Sequence, residues 1–165
     1  MDGSSEGLTR RASEAEPRFS SAELDEAMEL LHFAFRRVIE EPDSILSELG
    51  LGRLHHRVLY VIGKNKNLAV GALVDLLGVT KQALHGPVKD LVDSELVEVT
   101  RDPADRRSKR LRLTSAGRRF ERRLSRAEHR VLSAAFDHMG PEAVAGWRKV
   151  MDELGQGRRL RVDEE

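Results

Sequence analysis

The apolar positions of this 165-residue chain fall into blocks whose spacing changes along the sequence. Leu24, Met28, Leu31, Phe35 and Val38 alternate steps of four and three, which predicts one face of a helix over 21–40. Ser20 or Ser21 supplies a cap, and Pro42 stands just beyond the expected end. Residues 41–52 are expected as a connector with a short helical turn, closed by Gly50 and Gly52. Leu54, Val58, Val61 and Ile62 define a second helix ending near Gly63 and Lys64. In "LAVGALVDLLGVT" Leu73, Val74 and Leu77 face inward, and Gly78 is placed for a left-handed residue after a helix. Thr80 is a good N-cap for the helix that follows. That helix buries Leu84, Val88 and Leu91 and turns Gln82, His85, Gly86 and Lys89 outward.

Two short helices joined by a tight glycine-containing turn predict a helix-turn-helix. The period then changes to that of strands. "LVEVT" at 96–100 and "KRLRLT" at 109–114 flank the turn "RDPADRRS", so the motif is followed by a small β wing. From residue 115 to about 139 a helical stripe returns through Phe120, Leu124, Ala127, Val131 and Ala134. Pro141 opens a last helix whose Val144, Trp147, Met151 and Leu154 share a face, and Gly155 ends it. Fold class and organisation follow: a mainly α chain with a small β wing. A winged helix-turn-helix spans 51–114, and helical regions at 21–50 and 115–156 flank it. Polar, aperiodic tails are expected at 1–20 and 157–165.

Charge sharpens this picture. The formal net charge is zero. Residues 21–50 carry eight acids and two arginines, net −6, while 101–130 carry twelve Arg or Lys and four acids, net +8. One strongly basic segment in a neutral chain reads as a local anion-binding surface, against the plainer reading of a solvated helix face. There is no cysteine, which excludes disulfides and thiolate chemistry. No run of apolar residues is long enough to span a membrane, and no secretory leader is apparent, so the expected compartment is the cytoplasm.

The stretch "LLGVTKQALHGPVKDLVDSELVEVTRDPADRRSKRLRLTSAG" resembles the winged helix of the MarR family of bacterial transcriptional regulators. Its clearest part is "DPADRRSKRLRLTSAG", a wing followed by the LTxxG start of a long helix. The order of elements is similar over about 21–155, and "EPDSILSELGLGRLHHRVLY" looks like a narrower subgroup. The resemblance implies a homodimer in which the first and last two helices of each subunit interleave. It implies recognition helices roughly 34–36 Å apart that read a pseudo-palindrome in double-stranded DNA. It also implies a sequence-specific transcriptional regulator, expected to be a repressor, with no cofactor and no catalytic role. Small aromatic acids are common ligands of such proteins.

On this resemblance Thr80, Lys81, Gln82, His85 and Lys89 are offered to the major groove, where a glutamine suits adenine and a lysine guanine or phosphate. Arg107 aligns with the family's minor-groove arginine, with Asp105 as its brace and Arg106, Ser108 and Lys109 beside the backbone. Two positions depart from the family. Ala69 stands where Ser or Thr usually caps the first helix of the motif, a loss of about 1 kcal/mol. Gly86 stands where an arginine often touches DNA, and Pro87 follows it. A bend near residues 83–87, with the helix restarting at Pro87, is therefore expected.

The six histidines have no metal-ligand spacing, and adjacent His55 and His56 point about 100° apart on a helix. His32, His55, His56 and Tyr60 could line a pocket for a small aromatic ligand, or could simply pack a helix junction. A dimeric interaction scaffold with a degenerate DNA-reading helix is the other functional class left open; a retained "DPADRRSK" wing speaks against it.

Overall fold

The computed structural model describes residues 18–101 and 109–160. It divides into two compact units between Ala34 and Phe35. In the first, Ser20 caps the opening helix reciprocally. Its backbone N–H donates to Glu23 Oε2 (2.8 Å), and its hydroxyl oxygen accepts from the Glu23 N–H (3.3 Å). Leu24, Met28, Leu31 and Phe33 of this unit are all exposed.

That opening helix, α1, runs from Ser21 to Ser47 with Pro42 inside it. The expectation that Pro42 lies beyond the end is thus corrected. Pro42 is fully buried with Ile39, Ile45 and Leu46 on one face, so packing outweighs the lost backbone bond. After Ser47 a turn closes the helix at Gly50, whose φ of +67° lets the Leu51 N–H reach back to the Leu46 carbonyl at 3.0 Å.

The second unit then forms α2 (Arg53–Lys64), β1 (Leu68–Ala69), α3 (Val70–Leu77), α4 (Lys81–Asp93), β2 (Val97–Arg101), β3 (Lys109–Leu113) and α5 (Ser115–Leu154). The strands make an antiparallel sheet in the order β1-β3-β2, with Leu68 opposite Leu111 and Val99 opposite Leu111 on its other side. Strand β1 has no counterpart in the expected two-stranded wing, because two residues are too few to show a period. The core closes where these elements meet: Val58, Leu59, Val61, Leu73, Leu91, Leu111 and Leu124 are all 0% exposed. Burying each such leucine contributes about 1.5–3 kcal/mol.

Local chemistry agrees with the helix-turn-helix. Ala69 caps α3 with no side-chain bond, Gly78 sits left-handed at φ 62°, and the Thr80 hydroxyl accepts from the Ala83 N–H at 3.1 Å. The expected restart at Pro87 is corrected: α4 is a single helix through Pro87. Ala83, whose carbonyl loses its helical partner to the proline, is an exposed residue rather than a buried one. Gly86 also offers no Cβ for the proline ring to strike. Further on, α5 carries the expected break. Gly140 takes a non-helical φ of 79°, and Pro141 restarts the helix.

The LTxxG signature has a physical basis in the β3–α5 junction. The Thr114 hydroxyl accepts from the Gly117 N–H (2.9 Å) and donates to the Glu95 carbonyl (2.7 Å). The Thr114 N–H donates to the Leu96 carbonyl at 3.1 Å. A Cβ on Gly117 would lie 1.9 Å from that Leu96 oxygen, which is backbone and cannot step aside. Gly117→Ala should therefore cost more than about 2 kcal/mol, as overpacking does. Gly71→Ala, where nothing lies within 4 Å of the new methyl, should be neutral or stabilising by up to about 1 kcal/mol. Denaturant titration of both variants checks the contrast.

Candidate nucleic-acid interface

Helix α4 is held from behind and open in front. Leu84 and Leu91 are buried and Val88 half-buried, while Thr80, Lys81, Gln82, His85, Gly86 and Lys89 are exposed. Every α4 residue expected at the major groove thus lies on the solvent side. Gly86 faces open space, with nothing within 4 Å of a built Cβ. Lys109 is exposed at the start of β3. Asp105, Arg106, Arg107 and Ser108 lie outside the described residues.

Three polar contacts from α2 fix the motif. The Gly52 N–H donates to His55 Nδ1 at 3.0 Å, so the ring's proton lies on Nε2, which faces Asp90 Oδ2 of α4 at 3.1 Å. His55 therefore both caps α2 and holds α4. Arg57 Nη2 donates to the Leu77 carbonyl at 3.0 Å, satisfying an orphan acceptor at the end of α3. His56 points the other way, into the packing against α5. Its Nδ1 lies 3.7 Å from Glu128 Oε1, too long for a hydrogen bond, and its buried Nε2 has no partner among the described residues.

Three of the four candidate pocket residues lie on one helix of the second unit. His55, His56 and Tyr60 share α2, with His56 buried and the other two half-buried. Tyr60 carries Lys64 Nζ over its ring at 5.1 Å. His32 belongs to the first unit and sits edge-on to Phe33 at 5.3 Å.

Sequence reasoning missed one feature of the reading face. Lys89 donates to Asp93, one turn on, and this bond first, then the charges of Asp93 and Asp90, raises its pKa. The i, i+4 spacing was the available signal. Among the described residues no group of three His, Asp or Glu is arranged to hold a metal ion, and no helix is long and apolar enough to cross a membrane.

A two-helix motif with an exposed polar stripe on its second helix, backed by a three-stranded sheet and a β2–β3 hairpin, defines a winged-helix protein of the DNA-binding kind. The comparisons with known proteins agree. The MarR family profile matches residues 49–108. The chain is 39% identical over 132 residues to the HTH-type transcriptional regulator PetP of Rhodobacter capsulatus, covering 80% of each. Streptococcus pneumoniae FabT, solved in complex with DNA, matches with a TM-score of 0.70 at 23% identity, over 81% of this chain and 95% of FabT. Rhodococcus jostii CouR, solved bound to p-coumaroyl-CoA, matches at 0.66 and 23% identity, over 82% and 95%. The chain belongs to the MarR family of transcriptional regulators.

Two predictions arise from these contacts. Asp93→Asn frees Lys89 and removes a negative charge from the reading helix. Affinity for duplex DNA should rise about two- to fivefold at low salt and the gain should shrink at high salt, measured by fluorescence anisotropy. The second concerns pH. Burial holds the His56 pKa below its ordinary 6.5, against the pull of Glu121 and Asp43. Its contribution to stability is present above 6.5 and is lost as pH falls through the folded pKa. Glu128, raised first by burial and then by Glu121, acts in the opposite sense, starting from 4.5 upward. Unfolding free energy should therefore fall from roughly pH 7.5 to 6, and His56→Gln should flatten that slope in chemical denaturation.

Proposed function

We propose that the chain is a transcriptional repressor that binds a pseudo-palindromic operator as a homodimer and acts in the cytoplasm. The observation that carries the reading is the capped, outward-facing stripe of α4. Thr80, Lys81, Gln82, His85 and Lys89 are exposed together on a helix whose other face is locked into the core. In this reading Lys81, Gln82 and His85 read base edges, and Gly86 lets the backbone approach where relatives place an arginine. Arg107, braced by Asp105, enters the minor groove, while Arg106, Ser108 and Lys109 meet phosphates.

Exposed apolar side chains support the homodimer. Met28 (66%), Phe33 (64%), Val150 (56%) and Leu154 (66%) are all left open by a single chain, and Trp147 is exposed beside them in sequence. Soluble monomers seldom leave so many large apolar groups uncovered on so few helices. Residues 21–40 and 115–155 supply the interface, with no stable folded monomer. A small aromatic ligand, lodged near His32, His55, His56 and Tyr60, releases the operator. CouR, one of the similar structures, was solved bound to p-coumaroyl-CoA.

The test is a salt titration of binding to the DNA flanking the chain's own gene, with sedimentation of the same samples. The wild type should sediment as a dimer and shift that DNA specifically. Arg107→Ala should bind every sequence more weakly and lower the salt slope by about one unit. A folded monomer at low micromolar concentration, or an unchanged slope, would count against the reading.

A further inference from the structure

The chain carries no net charge, yet its arginines cluster away from the DNA-reading helix. Arg119, Arg122, Arg123, Arg126 and Arg130 recur along one stripe of α5 and line an open recess of about 510 Å³, with Glu41 and Ile45 of α1 as its opposite wall. Two carboxylates of α1 reach this stripe, and both are engaged. Glu41 pairs with Arg130, and Glu48 sits 3.5 Å from both terminal nitrogens of Arg123. Arg119, Arg122 and Arg126 have no ion-pair partner among the described residues.

Three guanidinium groups at i, i+3 and i+7 on one helix face repel one another. Water and salt screen exposed arginines in part, and an oxyanion bound from outside relieves the remaining repulsion. Arginine forks prefer oxyanions they can grip with two parallel bonds, and phosphoryl groups match that geometry. From Arg119 to Arg126 the helix rises about 10 Å, too far for one oxyanion to meet all three. A chain of linked phosphoryl groups spans it. We propose that the α1–α5 recess binds a small polyphosphate-bearing ligand, gripped by Arg119, Arg122 and Arg126.

The geometry favours a small ligand over a DNA strand. No residue of α4 lines the recess, and Glu41 on its α1 wall would repel a continuous phosphate backbone. The apolar flank of Ile45 offers a place for an organic portion of the ligand beside the charged one. The inference does not depend on the operator or on the aromatic pocket.

The test uses the full chain without DNA. Inorganic tripolyphosphate is titrated by calorimetry and by thermal unfolding, with ionic strength held constant using sodium chloride. Orthophosphate serves as the short control. Saturable binding and a rise in Tm are expected for tripolyphosphate, with about tenfold weaker binding of orthophosphate. The combined Arg119→Gln, Arg122→Gln, Arg126→Gln variant should lose at least about tenfold in affinity. Glutamine keeps the helix propensity, so the fold should survive. The matching triple lysine variant keeps the charge but not the fork and should fall between the two. Lys66→Gln, outside both the recess and the reading helix, should bind tripolyphosphate as the wild type does. Non-saturable binding, or equal binding by the glutamine variant, overturns the proposal. So does a glutamine variant that loses DNA affinity while the wild type ignores tripolyphosphate, which assigns the stripe to the DNA backbone. A glutamine variant that becomes monomeric, again with no tripolyphosphate binding by the wild type, assigns it to acids of a second copy.

Discussion

The second unit is organised around the burial of α2. Val58, Leu59 and Val61 are fully sequestered and Ile62 nearly so, and α3, α4, α5 and β3 all pack on this one helix. Some of the polar side chains of this helix also reach its neighbours. His55 holds α4 through Asp90, Arg57 holds the end of α3 through the Leu77 carbonyl, and His56 lies against Glu128 of α5. The apolar contacts set how close the neighbours come. The polar contacts set their rotation, because a hydrogen bond fails when its angle is wrong while an apolar contact merely weakens. A reading helix has to present particular side chains outward, so its rotation is what matters for DNA. His55 is thus more informative as a strut than as a pocket residue.

Most of the winged helix was legible in the sequence because its signals are local. Thr80 reads as a cap, Gly78 as a left-handed residue and Leu84 to Leu91 as a buried stripe, and each depends only on near neighbours. The extension of α1 through Pro42 was hidden for the opposite reason. A proline inside a helix is tolerated only where tertiary burial offsets its lost bond, and burial is not a property of the adjacent residues. The expected restart at Pro87 failed in the same direction, since the helix continues through that proline. Strand β1 was invisible because two residues have no period; it exists because Leu68 finds Leu111. Of the candidate site, the α4 residues and the capping role of Thr80 could be read directly. The tie between Lys89 and Asp93 was available at helical spacing but is easily passed over when only the outward stripe is inspected.

Gly117 illustrates how a motif becomes physical. The sequence shows a threonine and a glycine three apart at the start of a long helix. The structure gives the reason: Thr114 spends its hydroxyl on both the helix start and the preceding turn, and the helix end approaches the Leu96 carbonyl too closely for any side chain. This junction fixes where α5 leaves the wing. The direction of α5 therefore depends on a contact between backbones rather than on packing that could drift.

Charge distribution follows from the same geometry. A chain with no net charge gains nothing in long-range attraction to DNA from its total, so attraction has to come from segregation. Here acids are concentrated on α1 and arginines on α5, and the ion pairs Glu41–Arg130 and Glu48–Arg123 join the two where they meet. Exposed pairs of this kind add little stability, roughly 0–1 kcal/mol each. Their stronger effect is on what remains: by engaging the nearby carboxylates, they leave neighbouring arginines uncompensated. The basic character of α5 is therefore greater locally than its share of the sequence suggests, and it is directed at one face rather than spread around the helix.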